Sequence, residues 1–139
     1  MPTSRRNGKN RNLTIAFHVE GKPIQQGSMR AFNNRIVHNK TKELMAWRSA
    51  VARAAHVAGC TPIDGPIAIT MRFFYERGKT VTRDNPTVPP DLDKQIRSIL
   101  DALTGVAYAD DSQVTRIEAT KEYGAAGVQI TLTGGFESL

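Results

Sequence analysis

The chain has one cysteine, Cys60, among 139 residues, which excludes an intramolecular disulfide framework and suits a reducing cytoplasm. It has no apolar run near the roughly 18 residues that span a membrane, and no apolar stretch in its first twelve that would act as a secretory signal. His56 and Cys60 stand four apart with no matching pair elsewhere, and read as packing or surface residues. His18 and His38 have no spacing that singles them out. Acid is missing where base is dense. Met1 to Asn12 carries Arg5, Arg6, Lys9 and Arg11 with no acid, and the stretch between Glu20 and Glu43 carries Lys22, Arg30, Arg35, Lys40 and Lys42 with none. Arg77, Lys79 and Arg83 form a third basic group. With a net charge of +6, three such groups in one small chain point to a polyanion, nucleic acid above all.

Hydrophobic content of 40% in a chain of this length fits one globular domain with a real core. Residues 1–12 read as a disordered basic tail, 13–133 as the folded domain, and 134–139 as a C-terminal tail. Leu13, Ile15, Phe17 and Val19 alternate with polar or small residues and predict a first strand. Gly21 to Asn39 predicts a loop, with a small hairpin around Asn33-Asn34. Asn39 or Thr41 then caps a helix to about Ala58, with Leu44, Trp47, Val51, Ala54, Ala55 and Ala58 on its apolar face. Pro66 opens a second strand through Ile67, Ile69, Met71, Phe73 and Tyr75. Glu76 to Pro90 is a long loop, a length that tends to be functional or mobile. A short helix from Lys94 to Leu103 buries Ile96, Ile99, Leu100 and Leu103. Val114 to Tyr123 and Val128 to Leu132 predict a closing hairpin around Gly124 to Gly127. The fold class is α+β: one mixed sheet packed by two helices, in the order β-α-β-α-β-β.

The chemistry concentrates in two acidic runs, Asp91-Leu92-Asp93 and Asp110-Asp111, at the ends of one helix-and-turn unit. Like charges at ~4 Å repel by about 4 kcal/mol at an intermediate dielectric, so such groups protonate, point apart, or share a cation. A helical wheel puts Asp93, Lys94, Arg97 and Asp101 in one quadrant. The segment Thr104 to Tyr108 can turn the chain back and bring Asp110-Asp111 toward the helix start. Hard oxygen donors without His or Cys suit Mg²⁺ or Mn²⁺, and two or three Asp that leave sites for phosphate oxygens suit phosphodiester hydrolysis. Lys94 and Arg97 then face the transition-state charge. The plainer alternative stays open on spacing alone: one Asp capping a helix, and an Asp pair making a turn.

Pro90-Asp-Leu-Asp93, the helix ending Leu100-Asp-Ala-Leu103, and Asp110-Asp-Ser-Gln-Val114 closely resemble the RusA family of Holliday-junction resolvases. Gly21-Lys-Pro23, Gln26-Gly-Ser-Met-Arg30 and Trp47-Arg48 extend the resemblance over roughly 13–133. It implies a RusA-like fold and a Mg²⁺-dependent homodimer, with Mn²⁺ as substitute, that nicks symmetry-related strands of a four-way DNA junction in recombination and repair. It implies no nucleotide cofactor and no membrane partner, and a place in the cytoplasm of a bacterium or phage-infected cell. The family's paired aspartates match Asp91 and Asp93, its third matches Asp111, and Asp110 fits the neighbouring acid. Where the family commonly has Asn and Lys, this chain has Lys94 and Arg97, and Arg is no proton donor. Lys22, Arg30, Arg35, Lys40, Arg77, Lys79 and Arg83 are the expected DNA contacts. Two further readings stand beside this one: a branched-DNA-binding module of the same fold with weakened catalysis, and a phosphodiesterase that cuts flaps or forks.

Overall fold

A computed structural model describes residues 13–25 and 34–135, with the backbone alone over 34–40. The basic tail 1–12, Arg30, Asn33, the side chains of Arg35 and Lys40, and residues 136–139 lie outside the described residues.

Strand β1 (Leu13–Glu20) leads to helix α1 (Asn34–Val57), strand β2 (Ile67–Tyr75), helix α2 (Leu92–Leu103), a 3-10 turn (Asp111–Gln113), and strands β3 (Val114–Tyr123) and β4 (Gly127–Gly134). This is the expected α+β order. The four strands form one mixed sheet in the order β1-β4-β2-β3, with β2 parallel to β3 and antiparallel to β4.

β2 has the chain's cleanest alternation, and it lies in the sheet interior. Ile67, Ile69, Met71 and Phe73 are buried. Register then stacks apolar rows across the sheet: Phe17, Ile130 and Met71 in one, Val19, Val128 and Phe73 in the next. α1 adds Trp47, Val51 and Ala55 to this core, and α2 adds Ile99, Ala102 and Leu103. Burying a side chain of the Phe73 kind stabilises the fold by about 1.5–3 kcal/mol.

Three expectations are corrected. β3 and β4 are not a hairpin, because β2 lies between them. A strand entered from a helical crossover runs parallel to the strand it left, so β3 joins the outer side of β2, and β4 fills the place between β2 and β1. The connecting turn crosses the end of β2, where the Gly124 N–H donates to the Tyr75 carbonyl at 2.9 Å. Gly127 ends that turn, and a Cβ there would sit 2.6 Å from the Val19 carbonyl oxygen, so only glycine fits.

The first helix begins at Asn34, not at Asn39 or Thr41, and Asn34 opens a helix in place of a hairpin. No Gly or Pro interrupts 34–57, so the polar start of the segment does not break the helix. α2 also begins earlier than predicted, at Leu92, with Asp91 as its N-cap.

Candidate active site at the ends of helix α2

Asp91 caps α2 in extended conformation, φ −75° and ψ 136°, yet its side chain makes no capping hydrogen bond. Its carboxylate has Lys94 Nζ 3.5 Å away. Its backbone N–H donates to Gln25 Oε1 at 2.6 Å, a contact from the segment that follows β1. Asp93 stands in the first turn of α2, exposed, with no hydrogen bond or ion pair among the described residues. A carboxylate in that turn is favoured by the helix dipole. Arg97 is exposed one turn further along.

Asp101, expected in the same quadrant, is engaged elsewhere. Arg48 Nη2 donates to Asp101 Oδ2 at 2.8 Å, which ties α1 to α2. The last turn of α2 is closed at the Leu100 carbonyl, which accepts from the Thr104 hydroxyl at 2.9 Å and the Tyr108 hydroxyl at 2.8 Å. Gly105, at φ +86°, turns the chain back, and its N–H donates to the Tyr108 carbonyl at 2.7 Å. Burial pushes the Tyr108 phenol up from its ordinary pKa, and Asp111 and Asp101 push it the same way.

The two acids of the second run have different tasks. Asp110 caps the 3-10 turn, and its Oδ1 accepts from the Ser112 N–H at 3.0 Å. That hydrogen bond and the Ser112 hydroxyl hold its carboxyl below the usual carboxylate range. Gln113 completes the cap from the other side, its Oε1 accepting from the N–H groups of Asp110 at 3.1 Å and Ala109 at 3.0 Å. Its Nε2 donates to the Ile63 and Gly65 carbonyls at 2.7 and 3.0 Å, so one amide pins the turn to the loop before β2. Asp111 is exposed beside Asp110.

The donors are hard carboxylate oxygens, the type that suits Mg²⁺ or Mn²⁺. Among the described residues no three Asp, Glu, His or Cys side chains approach closely enough to hold an ion as they stand. Exposed carboxylates repel one another, and a cation offsets that repulsion when it draws them together.

The basic residues divide too. Arg77 Nη1 donates to the Val81 carbonyl at 3.5 Å and to the Arg83 carbonyl, which closes the 77–83 loop on itself. Both guanidinium groups lie over the Tyr123 ring, at 4.4 Å for Arg77 and 5.9 Å for Arg83. Lys79 and Lys22 are exposed and without an ion pair among the described residues. Lys121 Nζ donates to the Val88 carbonyl at 2.7 Å and holds the long loop against β3 just before Asp91. The loop is therefore anchored at both ends.

Sequence reasoning missed the three glutamines that position these acids. Gln113 was legible, since Asp followed three residues later by Gln is a capping-box spacing. Gln95, fully buried on α2, donates from Nε2 to the Pro23 carbonyl at 3.2 Å, and only its polarity on an apolar helix side marked it. Gln25 carried no signal.

A single mixed sheet with both helices packed on its core, and with acids before and after the crossover helix, defines a small α+β domain. The profile of the family described as Endodeoxyribonuclease RusA matches residues 20–133, and the chain belongs to that family. It is an endodeoxyribonuclease. The chain is also 29% identical over 126 residues to the uncharacterized protein YqaN of Bacillus subtilis (strain 168), covering 78% of this chain and 87% of that protein. No helix among the described residues is long and apolar enough to cross a membrane.

Proposed function

We propose that this endodeoxyribonuclease resolves Holliday junctions with Mg²⁺ as its cation, as a homodimer that makes paired symmetric nicks. The carrying observation is the Asp91 carboxylate, which stands at the start of α2 without capping it, next to Asp93 and Lys94. Asp91, Asp93 and Asp111 hold the cation, and Asp110 shapes the turn that carries Asp111. When bound, the cation polarises the phosphate and lowers the pKa of the attacking water. Arg97 donates its fork to non-bridging phosphate oxygens and stays protonated throughout. Lys94 meets developing negative charge, and as an ammonium it can hand a proton to a leaving alkoxide.

A four-way junction is two-fold symmetric, so a two-fold dimer presents two equal sites to two equal strands. Lys22, Arg30, Arg35, Lys40, Lys79 and Arg83 contact phosphates, which fixes register and reads branched geometry. Arg77, whose fork is engaged in its own loop, shapes that contact surface.

The Lys94–Asp91 pair favours a second reading, a branched-DNA binder with weakened catalysis, because an ammonium beside a ligand competes with the cation. A panel of four-way, flap, fork and linear DNA substrates separates the two. The first reading predicts paired nicks in the junction with Mg²⁺, and their loss in Asp91→Asn and Asp111→Asn with junction binding retained. Tight junction binding without nicks in Mg²⁺ or Mn²⁺ contradicts it.

A further inference from the structure

An N-cap aspartate ordinarily turns its carboxylate onto the N–H groups of the first turn, and a Gln or Glu three residues on reaches back to the cap's own N–H. The chain shows this arrangement complete at Asp110, where Ser112 and Gln113 make both halves. At Asp91 neither half comes from α2. The residue three positions on is Lys94, and an ammonium has no acceptor. The Asp91 N–H is met by Gln25 Oε1 at 2.6 Å, from 66 residues earlier in the chain. A second bond runs the other way, from Gln95 Nε2 on α2 to the Pro23 carbonyl at 3.2 Å. Two glutamines thus bind the segment after β1 to the first turn of α2, Gln25 at the Asp91 N–H and Gln95 at the Pro23 carbonyl. Pro23 and Gln95 are buried at this junction, so the tie is built into the fold.

We infer that Gln25 is a positioning residue for the cation site: it holds the Asp91 N–H from outside the helix and so fixes where the uncapped Asp91 carboxylate stands. The inference rests on the reading of Asp91 as a ligand. With Gln25 in place, the Asp91 backbone is tied to the segment after β1, and its carboxylate makes no bond to the first-turn N–H groups. Both caps are extended, as N-caps ordinarily are, so Gln25 supplies an anchor and not the backbone conformation. Without it, the Asp91 N–H loses its acceptor, the anchor is gone, and the carboxylate is free to fall onto the first-turn N–H groups, which removes a ligand. Gln95 supports the same segment from below, and its burial makes it the poorer test, since Gln95→Leu also perturbs packing.

The test measures Mn²⁺ binding by the EPR signal of the free ion, for the full chain and for Gln25→Met, Gln25→Glu and Asp91→Asn. Outer partners of metal ligands typically contribute 10–100-fold in affinity, so Gln25→Met is expected to bind Mn²⁺ about tenfold more weakly, with a melting temperature within a few degrees of wild type. Gln25→Glu keeps an acceptor oxygen and is expected to bind at or above the wild-type level. In junction cleavage, Gln25→Met is expected to need more Mg²⁺ for half-maximal rate while its rate at saturating Mg²⁺ stays near wild type. Wild-type Mn²⁺ affinity in Gln25→Met, beside lost affinity in Asp91→Asn, overturns the positioning role alone. Equal impairment of Gln25→Met and Gln25→Glu with lowered melting temperatures also overturns it, since that is a structural effect. Wild-type Mn²⁺ affinity in Asp91→Asn overturns the ligand assignment beneath it.

Discussion

Gln113 is one amide on which the placement of Asp111 depends, and replacing it has a cost that follows from its contacts. The side chain makes four hydrogen bonds: it donates to Ile63 and Gly65 carbonyls and accepts from Ala109 and Asp110 N–H groups. A net ~0.5–1.5 kcal/mol for each sets an upper value near 6 kcal/mol for Gln113→Ala. Water can replace the bonds at the exposed atoms, so about 2 kcal/mol is the working figure. For a domain of this size that lowers the melting temperature by about 6–8 °C. Gln113→Glu is the sharper variant. It keeps both acceptances, loses both donations, and sets a carboxylate against two carbonyls. Its pKa in the fold is then raised, so its stability is retained below the ordinary glutamate pKa and lost as pH rises through the raised value. Thermal melts at about pH 4.5 and pH 8, bracketing the range of a raised glutamate pKa, are expected to show wild type and Gln113→Glu closer at the lower pH. A Gln113→Ala protein melting within about 1 °C of wild type would refute the reasoning, because four bonds would then be worth nothing.

Other outcomes follow from the same geometry. Asp110→Asn is expected to keep junction cleavage near wild type, since Asn caps as well as Asp, whereas Asp111→Asn loses it; equal loss in both would remove the distinction between them. Lys79→Ala is expected to reduce the salt slope of junction binding by about 0.9 without changing the melting temperature, whereas Arg77→Ala lowers the melting temperature as its loop opens. An unchanged slope for Lys79→Ala would take it out of the phosphate contacts. Burial raises the phenols of Tyr75 and Tyr108. Their contribution to stability is present below the ordinary tyrosine pKa of about 10 and is lost as pH climbs above it. Absorbance at the tyrosinate band is therefore expected to lag through the ordinary range and rise only with unfolding. Full ionisation in the folded chain near the ordinary value would contradict the burial.

The fold was legible where local periodicity and tertiary demand coincide. β1 and β2 follow their period-two patterns, and the buried face of α2 includes Ile99 and Leu103 as the wheel predicts. It was not legible where a long-range partner decides. The Gly124–Gly127 turn has every local mark of a hairpin, yet β4 pairs with β2 and β1, because β2 presents two open edges. The start of α1 has no sequence mark at Asn34, and polar residues there read equally as loop. In the site, the acids were found from their clustering, but their separate tasks were not. Asp110 and Asp111 are identical in type, and the fold alone makes Asp110 the one that meets the Ser112 N–H and the Gln113 amide. The Gln25 contact spans 66 residues and no spacing rule reaches it.

The central claim is spatial: carboxylates of Asp91, Asp93 and Asp111 draw together on one cation. Paramagnetic broadening of backbone amide signals by substoichiometric Mn²⁺ tests it directly. The account predicts concurrent loss of the signals around Asp91 to Lys94 and around Asp110 to Ser112, abolished in both places by Asp111→Asn. Broadening of one group without the other, or at residues remote from both, would contradict it.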